Sequence, residues 1–60
     1  MTLHVMVDYR RQLMARLREL RKELTNYDLD WARRRAVVDE CLRLDREITS
    51  LDGTILGLLA

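Results

Sequence analysis

Apolar residues recur at alternating steps of three and four along both halves of the chain. The first series is Leu13, Leu17, Leu20, Leu24 and Tyr27, and Met6 and Tyr9 extend it backwards. The second series is Val37, Cys41, Leu44, Ile48, Leu51, Ile55 and Leu58. This spacing places each series along one face of an α-helix, as in the seam of a coiled coil. The pattern therefore predicts two amphipathic helices.

The two series are out of phase, which predicts a turn between them. Extending the first series beyond Tyr27 through Trp31 reaches Val38, one residue away from Val37. The arginines at 33–35 also occupy positions that an unbroken seam would fill with apolar side chains. We therefore predict an all-α antiparallel hairpin. A single long helix is the alternative, because the predicted turn contains neither Gly nor Pro.

The whole chain, 1–60, is predicted to be one domain. Its parts are an N-terminal arm at 1–7, helix 1 at about 8–25, a turn at about 26–29, and helix 2 at about 30–51. Alternating apolar side chains favour extended backbone in the arm. Helix 2 extends to residue 59 if it continues through Gly53 and Gly57, at about 1 kcal/mol for each glycine.

Residues suited to helix ends lie at the predicted boundaries. Asp8 is the predicted N-cap of helix 1, and Asn26 can adopt the left-handed conformation that ends a helix. Asp28 or Asp30 can accept hydrogen bonds from the first N–H groups of helix 2. Asn26, Asp28 and Asp30 together support a turn within residues 25–30.

Further apolar side chains lie beside both seams and widen them. They are Met14 in helix 1 and Val38, Leu42, Leu56 and Leu59 in helix 2. Two helices meet along one line only, so a second hairpin or a helical partner is predicted to complete a four-helix bundle. The predicted core and partner-binding residues are Leu13, Leu17, Leu20, Leu24, Tyr27, Trp31, Val37, Val38, Cys41, Leu44, Ile48, Leu51, Ile55 and Leu58. Tyr27 and Trp31 either plug the end of the hairpin or anchor a partner.

The amino-acid composition limits the chemical reactions and ligands that the chain could support. The 60 residues include one cysteine and one histidine. A single cysteine cannot form a disulfide within the chain, so Cys41 is interpreted as a small buried apolar side chain. Without a cluster of metal-ligating residues we expect no metal and no cofactor. The chain also lacks a recognisable catalytic set, so we expect a protein that is not an enzyme.

Charge and hydropathy indicate where the chain acts. The 11 basic and 10 acidic side chains give a net charge of +1, too balanced to predict nucleic-acid or membrane binding. No apolar stretch is long enough to span a membrane, and the first seven residues lack the features of a secretory signal. We therefore expect a cytoplasmic protein.

A run of three arginines supports an alternative function. Arg33, Arg34 and Arg35 could bind the phosphates of RNA through their planar guanidinium groups. Acidic residues are interspersed at helical spacing, for example Asp39 between Arg35 and Arg43. This spacing favours a solvated surface with charge pairs along each helix.

The helices resemble those of the small hairpin phosphatases that remove aspartyl phosphate from sporulation response regulators. The resemblance covers residues 17–24 and residues 37–48, the latter against the pattern V-x-x-x-S-Q-E-L-D-x-x-I. The matching positions in that pattern are Leu44, Asp45 and Ile48, whereas Cys-Leu-Arg stands at 41–43 in place of Ser-Gln-Glu. The resemblance implies that Asp45 positions a water at the phosphoryl group of a receiver domain.

Two further resemblances concern architecture alone. The chain looks like plasmid RNA-regulating hairpins that pair into four-helix bundles, and like helical co-chaperones of type III secretion needle subunits. Our leading hypothesis is a non-catalytic interaction module or regulator that binds itself as a homodimer or binds a helical protein. The alternatives are a response-regulator phosphatase, an Arg-dependent RNA-binding hairpin and a secretion co-chaperone.

Overall fold

The predicted antiparallel hairpin is confirmed. In a computed structural model that describes residues 2–60, helix α1 covers Leu3–Glu23 and helix α2 covers Trp31–Leu59. The two helices pack against each other, and residues 24–30 reverse the chain between them, which excludes one long helix. The hairpin is elongated, with principal extents of 45 × 15 × 15 Å.

The apolar faces that the spacing predicted hold the two helices together. The core consists of Leu13, Leu17, Leu20, Val37, Cys41, Leu44 and Ile48. Leu20 and Val37 are the most completely buried, with 1% and 0% of their surface exposed. Burying a side chain of this size contributes roughly 1.5–3 kcal/mol. This single row of contacts is therefore the main source of apolar stabilisation in the hairpin.

The predicted extended arm is wrong from residue 3 onward, where α1 has already begun. Met1 also belonged to the predicted arm, and it lies outside the described residues. The helix satisfies its backbone with its own hydrogen bonds and buries Met6. An extended arm would have no strand to pair with among residues 2–60, so its backbone groups would lack partners within the chain.

Thr2, and not Asp8, caps the N-terminus of α1. The Thr2 hydroxyl accepts a hydrogen bond from the Val5 N–H at 3.3 Å. Asp8 lies inside the helix, where its carboxylate is 3.4 Å from the His4 imidazole and 3.6 Å from the Arg11 guanidinium. The earlier start of the helix thus changes Asp8 from a predicted cap into a partner for neighbouring side chains.

The C-terminus of α1 closes without a left-handed residue. The helix ends at Glu23 and not at about residue 25, and no residue among 2–60 has a positive φ, so the conformation predicted for Asn26 is wrong. The N–H groups of Thr25 and Asn26 donate to the carbonyls of Lys22 and Glu23 at 3.1 Å each. Such tightened bonds to the third preceding residue satisfy the last carbonyls of a helix.

The N-terminus of α2 is not capped by an aspartate side chain, contrary to the prediction. Asp30 occupies the N-cap position, but its side chain makes no capping hydrogen bond, and only its carbonyl accepts from the Arg34 N–H at 2.8 Å. The Asp28 N–H donates to Asn26 Oδ1 at 3.0 Å. The Asn26 side chain therefore organises the turn from within.

Helix α2 extends to Leu59, the longer of the two predicted limits. Gly53 and Gly57 lie inside the helix, and no atom of another element lies within 4 Å of the Cβ that either could carry. Neither glycine is therefore required by close packing within the hairpin.

Candidate interaction surface

The structure divides the predicted core and partner-binding residues into a buried set and an exposed set. The seven core residues are buried, and Leu24, Leu51 and Ile55 are half-buried. Val38 and Leu58 are exposed, as are the two aromatic residues Tyr27 and Trp31, at 98% and 70%. Because α1 ends at Glu23, Tyr27 leaves the helical face that it was predicted to extend. Neither aromatic residue plugs the hairpin.

Polar side chains close one side of the hairpin. Three pairs cross between the helices at intervals of seven residues: Tyr9 with Glu47, Arg16 with Glu40, and Glu23 with Arg33. Tyr9 donates its hydroxyl to Glu47, and the Arg16 Nε to Glu40 Oε1 distance is 3.4 Å. We call these six residues the polar flank. Every member of this flank has its partner on the other helix.

The strongest pair of the polar flank lies next to the turn. Arg33 donates twice to Glu23, with Nε to Oε1 at 2.8 Å and Nη2 to Oε2 at 2.9 Å. This two-pronged contact lowers the pKa of the Glu23 carboxyl and raises that of the Arg33 guanidinium. At the other end of the flank, the hydrogen bond to Glu47 raises the pKa of Tyr9. The polar flank thus contains a pair of opposite charges next to the turn and, at its other end, a hydrogen bond from the neutral Tyr9 hydroxyl to Glu47.

Two ion pairs mark the opposite side of the hairpin. Arg10 pairs with Asp52, and Arg21 Nη2 lies 3.7 Å from Asp45 Oδ1. In both pairs the arginine comes from α1 and the aspartate from α2. The positions of these four residues therefore show which residues of each helix lie on the side opposite the polar flank.

Exposed apolar side chains flank these two ion pairs. Residues three, four or seven positions apart share a helix face, which places six apolar side chains beside the ion pairs. They are Leu3, Val7 and Met14 on α1 and Val38, Leu42 and Leu56 on α2. We call these six residues, with Arg10, Arg21, Asp45 and Asp52, the apolar flank. Val7, Arg10 and Met14 also line a shallow surface groove on α1, together with Arg11, Ala15 and Arg18.

The apolar flank is open to solvent. Five of its apolar side chains are exposed, from 36% at Leu3 to 66% at Leu56, and Met14 is half-buried. Its two arginines and two aspartates are equal in number, and Arg11 and Arg18 lie at its α1 edge. An extended, partly apolar face of this kind is typical of an interaction surface.

The three consecutive arginines have structural contacts within the chain. Arg33 belongs to the polar flank, and Arg34 donates to the carbonyls of Leu24 at 3.1 Å and Asn26 at 2.8 Å. Arg35 lies over the Trp31 ring at 5.6 Å from its centroid. These contacts account for the run of arginines at the end of the turn without a bound nucleic acid.

Asp45, the residue carried over from the phosphatase resemblance, lies in the middle of the apolar flank. Its side chain is 50% exposed and contacts Arg21. The carboxylate is thus accessible beside apolar neighbours, and one guanidinium already interacts with it.

The two flanks are the feature that the sequence analysis missed. We predicted charge pairs along each helix, around Asp39, whereas none of the ion pairs among residues 2–60 involves Asp39. A signal was present, because Tyr9, Arg16 and Glu23 repeat at intervals of seven, as do the residues they contact. Only the pairing of the two helices shows that the repeats face each other.

Comparisons with known proteins add no relative: no family model, curated protein or solved structure matches this chain. Neither helix of residues 2–60 is long and apolar enough to cross a membrane. Within the same residues, no three His, Cys, Asp or Glu side chains come together as metal ligands.

Proposed function

We propose that this protein is a protein–protein interaction module that binds a helical partner through its apolar flank. The observation that carries the proposal is the contrast across the hairpin. The polar flank satisfies its side chains within the chain, whereas the apolar flank leaves Val7 on α1 and Leu42 and Leu56 on α2 exposed. A helical partner can bury those side chains without unpairing the polar flank.

The total exposed surface supports the proposal. A monomeric globular protein of 7.2 kDa exposes about 4,100 Å², and this chain exposes 4749 Å². The excess, roughly 650 Å², arises because a two-helix hairpin buries only one line of contact. It is close to the roughly 800 Å² that each partner contributes to a stable protein–protein interface.

The shape of the flank favours a helix as the partner element. The apolar side chains form two rows along a molecule 45 Å long, one on each helix. A third helix can pack its own ridge against two such rows, as in four-helix bundles. The module therefore suits a regulator or assembly factor that acts by occupying another helical surface.

Site-specific photo-crosslinking in the host cell tests this function. One variant carries a photoreactive amino acid in place of Leu42 on the apolar flank. The matched control carries it in place of Leu58, which is on the same helix, is also a leucine and is similarly exposed, at 56% against 50%. We expect a discrete crosslinked product from position 42 and a much weaker one from position 58.

The result counts as support whether the product contains a second copy of this chain or another protein, provided that position 42 exceeds position 58. Absence of a product from position 42, or equal products from both positions, would contradict the proposed function.

A second candidate function rests on the exposure of Asp45. Its accessible carboxylate beside Leu42 supports the phosphatase interpretation, because that chemistry needs an acid presented to a receiver domain. The test follows the phosphoryl group of a phosphorylated receiver domain after the protein is added. The proposal requires faster loss that Asp45→Asn abolishes and Asp39→Asn preserves. Unchanged phosphoryl lifetime with the native protein rejects it.

A further inference from the structure

We infer that the partner of the apolar flank is a second copy of this chain, bound with the two turns at the same end of a four-helix bundle. This inference rests on the proposed function and commits it to one occupant. A two-fold axis along the length of the hairpins relates the copies. In this arrangement α1 of each copy packs against α2 of the other.

The distribution of charge on the apolar flank favours this orientation. On α1 the charged residues of the flank are Arg10 and Arg21, and on α2 they are Asp45 and Asp52. With the two-fold axis along the hairpin, each arginine row faces the aspartate row of the second copy. Arg10, Arg21, Asp45 and Asp52 then all face a row of opposite charge, as a self-complementary surface requires.

The other face-to-face arrangement brings like charges together. A two-fold axis across the hairpin sets α1 against α1 and α2 against α2. Arg10 and Arg21 then face arginines, and Asp45 and Asp52 face aspartates. Like charges brought together in a desolvated interface are strongly unfavourable, so charge repulsion disfavours this arrangement.

The composition of the hairpin's open end, opposite the turn, favours the same orientation. Residues 53–60 contain no Asp, Glu, Lys or Arg, and Leu56 and Leu59 are exposed there at 66% and 65%. With both turns at one end, Leu56 of each copy lies beside the open end of the other, whereas Leu58 lies on the side of α2 that carries the polar flank. In the opposite orientation each uncharged end would lie beside the arginines near the turn.

The area available is sufficient for a dimer. One face of the hairpin, 45 Å by 15 Å, has a projected area of roughly 675 Å², so contact over this whole face in both copies would bury roughly 1,350 Å². Stable interfaces between proteins bury about 1,200–2,000 Å² in total. A second copy thus provides enough contact over the apolar flank without help from another protein.

Sedimentation equilibrium of the purified full chain, with matched variants, tests whether a second copy of the chain binds the apolar flank. We expect twice the chain mass of 7.2 kDa. Val7→Gln on the apolar flank should shift the protein toward the monomer mass, because it removes an apolar contact at each of two symmetric positions. The control, Val5→Gln, changes the same residue type two positions away, beside Tyr9 and Gln12. It should remain dimeric.

Both substituted valines are exposed, at 38% and 48%, so helix content by circular dichroism should be preserved. A native protein that sediments with the mass of one chain, or a dimer that Val5→Gln disrupts as strongly as Val7→Gln, contradicts the inference.

The orientation is tested by measuring the distance between the two turns. A spin label at Tyr27→Cys, in a Cys41→Ala background that leaves no other thiol, marks the turn of each copy. Turns at the same end lie about one helix spacing apart, roughly 10 Å between backbones. Turns at opposite ends lie about the full length of 45 Å apart. A short distance is predicted, and a distance near the full length contradicts the charge argument.

Failure of this inference is distinguishable from failure of the proposed function. If the chain sediments as a monomer but crosslinks from position 42 to another protein, the inference of a second copy is wrong and the proposed function is supported. If the chain is a monomer and gives no crosslink from position 42, both are wrong.

Discussion

The two flanks of the hairpin are built from the same pair of helices and differ in which side chains they leave exposed. On the polar flank, three cross-helix pairs at intervals of seven residues connect Tyr9, Arg16 and Glu23 to side chains of α2. On the apolar flank, two ion pairs are flanked by exposed apolar side chains such as Val7 and Leu42. One flank pairs its side chains within the single chain, and the other leaves apolar side chains exposed.

Under the proposed function, this difference explains how a short hairpin can fold and still offer a surface to a partner. Polar pairs fix the register of the helices, but each exposed ion pair contributes only about 0–1 kcal/mol. Apolar burial contributes far more for each side chain. The chain uses its polar flank to define the pairing of α1 with α2, and its remaining apolar surface is available for a further helix.

The largest effect should come from the core that lies between the flanks. Leu20 is 1% exposed, and Leu20→Ala should lower the free energy of unfolding by about 2–5 kcal/mol, because it removes buried contacts and leaves a cavity. Urea denaturation followed by circular dichroism measures the change. Leu58→Ala, at an exposed leucine, serves as control and should cost much less. Equal costs would show that the core is assigned to the wrong face.

The next largest effect separates the two flanks directly. Leu42→Gln should weaken self-association at least about tenfold, because the two-fold axis repeats the lost apolar contact. Leu58→Gln, outside the apolar flank, should change the dissociation constant little. Analytical ultracentrifugation over a dilution series measures both constants. If Leu58→Gln weakens association as much as Leu42→Gln, the distinction between the flanks fails.

A smaller effect is expected at the turn that fixes the register of both flanks. Arg34 donates to the carbonyls of Leu24 and Asn26, and lysine cannot reproduce this forked geometry. Arg34→Lys should therefore destabilise the hairpin by about 1 kcal/mol in thermal unfolding. The matched control is Arg43→Lys, since Arg43 has only a 3.8 Å contact with Glu40. A neutral Arg34→Lys contradicts the structural role of this residue.

The smallest effect is a pH dependence confined to the polar flank. The pKa of Glu23 is lowered in the folded chain by the hydrogen bonds from Arg33. The pair therefore contributes stability above the ordinary carboxyl pKa, and that contribution is lost as pH falls through the lowered value. Thermal midpoints measured from neutral to acidic pH should show this loss in the native chain.

The Glu23→Gln variant should reduce that acid-side loss, whereas Glu19→Gln should leave it unchanged, since Glu19 forms none of the ion pairs of residues 2–60. An identical acid profile for native and Glu23→Gln protein contradicts the role of this pair.

The sequence predicted the hairpin and its core because the apolar spacing is a property of each helix alone. Leu13, Leu17 and Leu20 repeat at steps of four and three, and the structure buries all three. The phase slip near Val37 likewise located the turn. A helix boundary was harder to predict, because alternating apolar residues near Val7 fit a strand as well as a helix.

The two flanks could not be predicted because they depend on the register between helices. Arg16 has acidic residues nearby along its own helix, and its contact with Glu40 exists only after the helices pack. Tyr27 illustrates the same limit, since it is exposed because α1 ends at Glu23, four residues before Tyr27. Spacing within one helix specifies a face, whereas contacts between helices require their relative position along the hairpin axis.

The most direct test of the account is the midpoint of thermal unfolding as a function of protein concentration. If a second copy covers the apolar flank, the midpoint should rise with concentration, because association stabilises the folded chain by mass action. For a chain of this size, a hundredfold increase should raise it by on the order of 10 °C. A cooperative transition whose midpoint is the same at every concentration would contradict the account.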